Sequence, residues 1–222
     1  MRQMMKRFRK ALLFAVLAAA AGLYMAAPSA HAQGKEIKEL IIAIGVDADT
    51  LNPQEQTTTL IQNMCDLIYD NLFYQDPAGK LHPRLATKYE VSADGLTYTI
   101  SLRKGVKFSD GTDFNADAVK LTFDRALDPK MRVPLRFAIG MVKECVKVDD
   151  HTVALKLNYP FAPLAPTLSL TLVSTISPAA IQKYGDEVRQ NPVGAGPYVL
   201  KEWVKGDRLV FVRNEKYYGD KP

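Results

Sequence analysis

The stretch from Leu85 to Gly111, LATKYEVSADGLTYTISLRKGVKFSDG, leaves few options to the chain that contains it. Leu96, Tyr98, Ile100 and Leu102 alternate with Thr97, Thr99, Ser101 and Arg103, the period-2 pattern of a strand with one face in a core and the other in water. Asp94-Gly95, Lys104-Gly105 and Asp110-Gly111 punctuate the stretch, each with a glycine able to supply the positive φ of a tight turn. The spacing predicts a meander of short antiparallel strands.

The first 32 residues read as a segment apart. Arg2, Lys6, Arg7, Arg9 and Lys10 form a basic start, Ala11 to Ala27 an apolar stretch, and Ala30-His31-Ala32 a small-x-small cleavage site before Gln33. This is the pattern of a secretory signal peptide over 1–32, with export as its consequence. The alternative, a membrane anchor, suits a span near the lower length limit, and the polar Gln33-Gly34-Lys35 argues against it. Five of the 29 cations and none of the 24 acids lie in this segment, which leaves 24 of each behind it. The basic balance therefore belongs to the leader, and no nucleic-acid partner is indicated. Export permits a Cys65–Cys145 disulfide, with two buried thiols as the other reading. Their separation fits neither a CxxC nor a zinc pattern.

Glu39 to Gly45, ELIIAIG, is an apolar run that predicts a buried strand. Asp47 to Pro53 breaks it, Thr57, Thr58 and Thr59 follow, and Ile61, Met64, Cys65, Ile68, Leu72 and Phe73 keep helical spacing. The threonines suit either helix capping or ligand contact. Asn115 to Leu127 reads as an amphipathic helix with Asn115 as N-cap, Asp117 in the first turn, and Val119, Phe123 and Leu127 on one side. Val146 to Leu157 brackets a hairpin tip at Asp149-Asp150-His151. Tyr159 to Pro166 carries three prolines, predicts no regular element, and is a boundary candidate. Pro178 to Tyr184 predicts a short helix with proline in its first turn. Val193 to Pro197 is a glycine loop, followed by two strands, Tyr198–Trp203 and Asp207–Arg213, around a Lys205-Gly206 turn.

No catalytic constellation emerges. His82 precedes a proline in a connector and His151 sits at a hairpin tip, so neither is placed as a base for a nucleophile. No G-x-S-x-G, H-E-x-x-H or zinc spacing occurs, and no cofactor is indicated. Gly194 and Gly196 lack the lysine of a phosphate loop, and a backbone bend is the better reading. A carboxylate pair such as Asp149-Asp150 or Asp186-Glu187 keeps an exported hydrolase open. An exported, charge-balanced α/β chain without such a site is read as a binding protein.

Seven motifs occur in a familiar order: TLNP at Thr50–Pro53, IYDNLF at Ile68–Phe73, LRKGVKFSDGT at Leu102–Thr112, FNADAV at Phe114–Val119, VDDHTV at Val148–Val153, VGAGPYVLKEW at Val193–Trp203 and RNEKYY at Arg213–Tyr218. In these the chain resembles the family-5 extracellular solute-binding proteins, the periplasmic peptide and nickel binders of ABC importers. Asn52 stands where aspartate is frequent, Ala195 where threonine is, and Tyr218 where tryptophan is. The resemblance implies an α/β, type II periplasmic-binding-protein-like fold with an extra small lobe, a mixed sheet, an antiparallel meander and packed helices. It divides the chain into lobe I, 33–69 plus 173–222, and an additional lobe, 70–172. It also implies that the second ligand-gripping lobe, which follows Tyr218 in family members, is missing, so that this chain alone should bind peptides weakly.

By that resemblance the function is delivery of short peptides to an inner-membrane ABC permease by a monomeric, non-enzymatic carrier. A non-functional or partial fragment of such a carrier is the alternative. The positions matching ligand-facing ones are Thr57, Thr58 and Thr59, with Phe137 and the loop Gly194, Ala195 and Gly196. Their role would be hydrogen bonding to a peptide backbone.

Overall fold

The computed structural model describes residues 39–222, so the expected signal peptide lies outside the described residues. Contacts divide the chain into Met1–Ala43 and Ile44–Pro222, and the fold is that of the second unit. Glu39 to Gly45 does not form the expected strand. Among the described residues it has no strand partner, and Leu40, Ile41 and Ile42 are exposed. Apolar, β-branched residues alone do not make a strand; pairing and burial do.

The alternating stretch forms the centre of a four-stranded antiparallel sheet. Strands β3 (Ala86–Val91), β4 (Thr97–Leu102), β5 (Val142–Asp149) and β6 (Thr152–Leu157) lie in the order β3-β4-β6-β5. Tyr98, Ile100 and Leu102 are buried while Thr97, Thr99 and Ser101 are half-buried, as the alternation requires. Gly95, at φ 70°, turns β3 into β4. The expected meander stops there. Val106 to Ser109, between the next two glycine turns, forms no further strand, and a single bridge between Lys107 and Asp113 takes its place. The second neighbour of β4 is β6, which pairs Tyr98 with Leu155 and Ile100 with Val153. Before the sheet, β1 (Phe73–Gln75) and β2 (Leu81–Pro83) form a small hairpin, and after it β7 (Tyr198–Val204) and β8 (Arg208–Arg213) form another. All pairings among the described residues are antiparallel.

Among the described residues, four α-helical segments accompany these strands: α1 (Thr59–Ile68), α2 (Ala116–Leu127), α3 (Leu164–Thr167) and α4 (Pro178–Tyr184). Asn115 caps α2, its Oδ1 accepting from the N–H groups of Asp117 at 3.0 Å and Ala118 at 3.2 Å. The helix lays Val119 and Phe123 on β5 and β6. Ser177 caps α4 through Ala180 N–H at 3.2 Å. A single turn, α3, lies in the proline-rich stretch expected to be irregular; Pro166 is in its first turn, where no helical N–H is needed. Helix α1 ends at Ile68, not at Phe73. Tyr69 turns to extended backbone (φ −107°, ψ 162°), and Leu72 and Phe73 leave the helix for a different core.

Two apolar clusters result. One gathers the sheet, α2, and residues from Leu72 to Val173 with Ala195. The other gathers Ala48, Leu51, Ile61, Met64, Cys65, Ile68, Tyr69 and Ile176 under the β7–β8 hairpin, which adds Leu200, Trp203, Leu209 and Phe211. Cys145 belongs to the first and Cys65 to the second, both as free, buried thiols. Burial pushes both thiols up, Cys145 to about 12.

Candidate ligand-binding site

The loop leading into α1 is a compact polar knot. Thr50, Asn52, Gln54 and Gln56 are all buried, and the side chains of the first three are hydrogen-bonded within the chain except at Gln54 Oε1. Thr50 Oγ1 accepts from Asn52 N–H at 3.0 Å, and Asn52 Oδ1 from Gln54 N–H at 3.1 Å. Asn52 Nδ2 donates to Glu55 at 3.1 Å, and Gln54 Nε2 crosses to the Thr122 carbonyl on α2 at 2.8 Å. Arg189 closes the far side, its carbonyl accepting from Leu51 N–H at 2.8 Å and its guanidinium 3.7 Å from Glu55. So braced, the loop presents Thr57, Thr58 and Thr59 to solvent at the start of α1. Thr58 is the N-cap, its Oγ1 accepting from Ile61 N–H at 3.4 Å. Capping thus accounts for Thr58, while Thr57 and Thr59 are exposed beside the first turn of the helix. Such a lip can donate to carbonyl or carboxylate oxygens.

The other singled-out residues lie elsewhere. The Gly194–Gly196 loop is buried against the C-terminal end of α1, with Gly196 N–H donating to the Ile68 carbonyl at 2.8 Å. A Cβ on Gly194 would stand 2.3 Å from Ile68 O, and one on Gly196 would stand 2.6 Å from the same atom. These glycines are required by close backbone approach. With α1 ten residues long, the threonines and the glycine loop sit about 15 Å apart at its two ends. Phe137 lies in a 3₁₀ turn (Arg136–Ile139) after α2, 78% exposed. The structure brings Thr57, Thr58 and Thr59 together and keeps them apart from the glycine loop.

Sequence reasoning missed the cluster around Asp70. This carboxylate, its side chain only 2% exposed, accepts from Arg84 Nη1 at 2.8 Å and from the Tyr218 hydroxyl at 2.5 Å. Burial pushes Asp70 up from the usual carboxylate range despite Arg84 and Tyr218, and pushes Asp66 and the Tyr218 phenol up as well. A cavity of about 320 Å³ opens beside Asp66, Asp70, Arg84 and Tyr74, and one of about 540 Å³ along β7 between Trp203, Tyr184 and Asn191. His82 pairs with Asp76 at 2.8 Å in an exposed turn with no nucleophile hydrogen-bonded to it. No group of three metal-ligating side chains forms among the described residues.

The model of the bacterial extracellular solute-binding proteins, family 5 Middle, matches residues 80–222. The chain belongs to that family. The glutathione-binding protein GsiB of Escherichia coli O1:K1 / APEC is 42% identical over 182 residues, which make up 82% of this chain and 35% of that protein. Among solved structures, the dipeptide binding protein of Pseudoalteromonas sp. SM9913 in complex with Met-Leu is similar at 27% identity and a TM-score of 0.71, over 79% of this chain and 39% of that one. NikA from Brucella suis in complex with Fe(III)-EDTA is similar at 32% identity and a TM-score of 0.70, over 80% of this chain and 36% of that one. The chain thus spans little more than a third of the length of these relatives. GsiB and the Pseudoalteromonas protein are binding proteins.

Proposed function

We propose that this chain serves in a periplasmic solute-binding protein that delivers short peptides to an inner-membrane ABC permease, and that it acts as a monomer. The observation that carries the reading is the likeness to a dipeptide binding protein across 79% of this chain. Thr57, Thr58 and Thr59 form the ligand-facing lip on this side, hydrogen bonding to the peptide backbone. A rigid loop suits that role because little ordering is left to binding. Phe137 is a weaker apolar contact. Gly194, Ala195 and Gly196 serve by seating α1, which carries the lip.

Lobe I comprises 33–69 and 173–222, and the additional lobe 70–172. The change of apolar cluster between Tyr69 and Leu72 and again between Val173 and Ile176 supports that division. The reading is tested by NMR titration of the Thr57, Thr58 and Thr59 amides with reduced glutathione, Met-Leu and a tripeptide at millimolar concentration. Shifts confined to the lip are expected with at least one probe. Absence of any shift with all three would remove peptides as the ligand class at this site.

A further inference from the structure

Of the passages of chain between the two apolar clusters, four meet at residues 68–71. Tyr69 to Leu72 is the first. Val173 to Ile176 returns beside it: Thr175 N–H donates to the Asp70 carbonyl at 3.3 Å, and Ser174 Oγ to Asn71 Oδ1 at 2.5 Å. The glycine loop is the third, held on the Ile68 carbonyl. The fourth is Asn214 to Tyr218. It leaves β8 with Asn214 Nδ2 on the Gly196 carbonyl at 2.8 Å, and Lys216 Nζ reaches the Ser109 carbonyl at 3.3 Å. Its end, Tyr218, packs on the sheet cluster with Arg103 5.2 Å above its ring.

Asp70 closes this fourth passage. One carboxylate oxygen takes Arg84, which follows β2, and the other takes the Tyr218 hydroxyl. The geometry points to Asn214–Tyr218 acting as a strap that locks the two clusters into one rigid body, with Asp70 as its fastening. Fastened, the strap ties the end of the hairpin to the sheet side. Unfastened, the seam keeps its backbone contacts but loses the side-chain bond between Asp70 and Tyr218, and the clusters gain freedom to shift. Nothing in this depends on which ligand the protein takes.

The strap is tested in Tyr218→Phe, which keeps the ring and removes only the donor, and in Asp70→Asn, which keeps an acceptor oxygen. Amide hydrogen exchange at residues 214–218 should quicken about tenfold in Tyr218→Phe while β4 amides stay unchanged, the size expected from one lost hydrogen bond to a charged acceptor. Asp70→Asn keeps one acceptor oxygen for two donors, and with Arg84 holding that oxygen the Tyr218 bond is lost in both variants, so the double variant should exchange within about twofold of Asp70→Asn alone. Spin labels at the exposed positions Lys143→Cys and Gln182→Cys, on the two clusters, should show a narrow distance distribution that broadens in Tyr218→Phe. The strap is overturned if Tyr218→Phe leaves both readouts unchanged, or if β4 exchange rises in step with residues 214–218.

Discussion

The sheet cluster and the hairpin cluster use the same apolar residue types but draw them from the chain differently. The sheet side is written almost continuously between Leu72 and Val173. The hairpin side is assembled from Ala48–Tyr69, Ile176–Ile181 and Leu200–Phe211, three stretches with the whole sheet inserted between the first two. Where a core is contiguous, local periodicity and capping decide most of it. Where it is assembled, close approach between distant backbones decides.

The sharpest way to break that contrast is at the glycine loop. Gly194→Ala should destabilise by about 3 kcal/mol in urea unfolding, because the new methyl meets backbone that cannot swing aside. Gly45→Ala, with nothing within 4 Å, should stay within about 0.5 kcal/mol of the parent. A mild Gly194→Ala would mean that the hairpin side is not held by this contact.

The two helix caps give a smaller test. Asn115→Ala should cost about 1 kcal/mol, since two N–H groups lose a partner. Thr58→Ala, with one long 3.4 Å bond, should cost about half as much. Equal losses would place the threonine cap on a par with the asparagine cap and weaken the case that this lip is free for ligand.

The smallest expected effect is a pH dependence at Asp70. The groups facing it are Arg84, Tyr218, Tyr217 and Asp66. Its carboxyl is raised in the folded chain, burial outweighing Arg84 and Tyr218, so the folded state holds a proton more firmly than the unfolded state does. Its contribution is therefore most favourable below the ordinary carboxylate range of about 4 and is lost as pH rises through the raised value. Between pH 7 and pH 4 the unfolding midpoint of the parent should move in its favour relative to Asp70→Asn. The opposite drift would mean that the Arg84 pair dominates.

Much of the sheet side was legible in advance. The buried face of β4, the Asn115 cap and the hairpin tip at Asp149–His151, and on the hairpin side the proline start of α4, all follow from residues within a few positions of one another. The over-long reading of α1 has a physical cause: Leu72 and Phe73 continue the apolar spacing, but into the other core. Of the candidate site, the cap at Thr58 was readable, and the exposure of its neighbours was not. The glycine loop was read correctly as a bend, yet its partner, Ile68, lies more than a hundred residues earlier. Asp70 and Tyr218 stand in the motifs IYDNLF and RNEKYY, but their pairing with each other and with Arg84 was not readable, since bonds across 14 and 148 residues leave no local pattern.

By itself, then, the amino-acid order determined the local elements and the family, because alternation, caps, turn glycines and ordered motifs act over short range. Tertiary structure alone decided which runs are buried. Glu39 to Gly45 has every property of a core strand and is exposed, whereas the acidic Asp70 lies in the seam. Burial depends on what the rest of the chain brings alongside, and for a carboxylate it becomes tolerable only once a guanidinium and a phenol arrive from elsewhere.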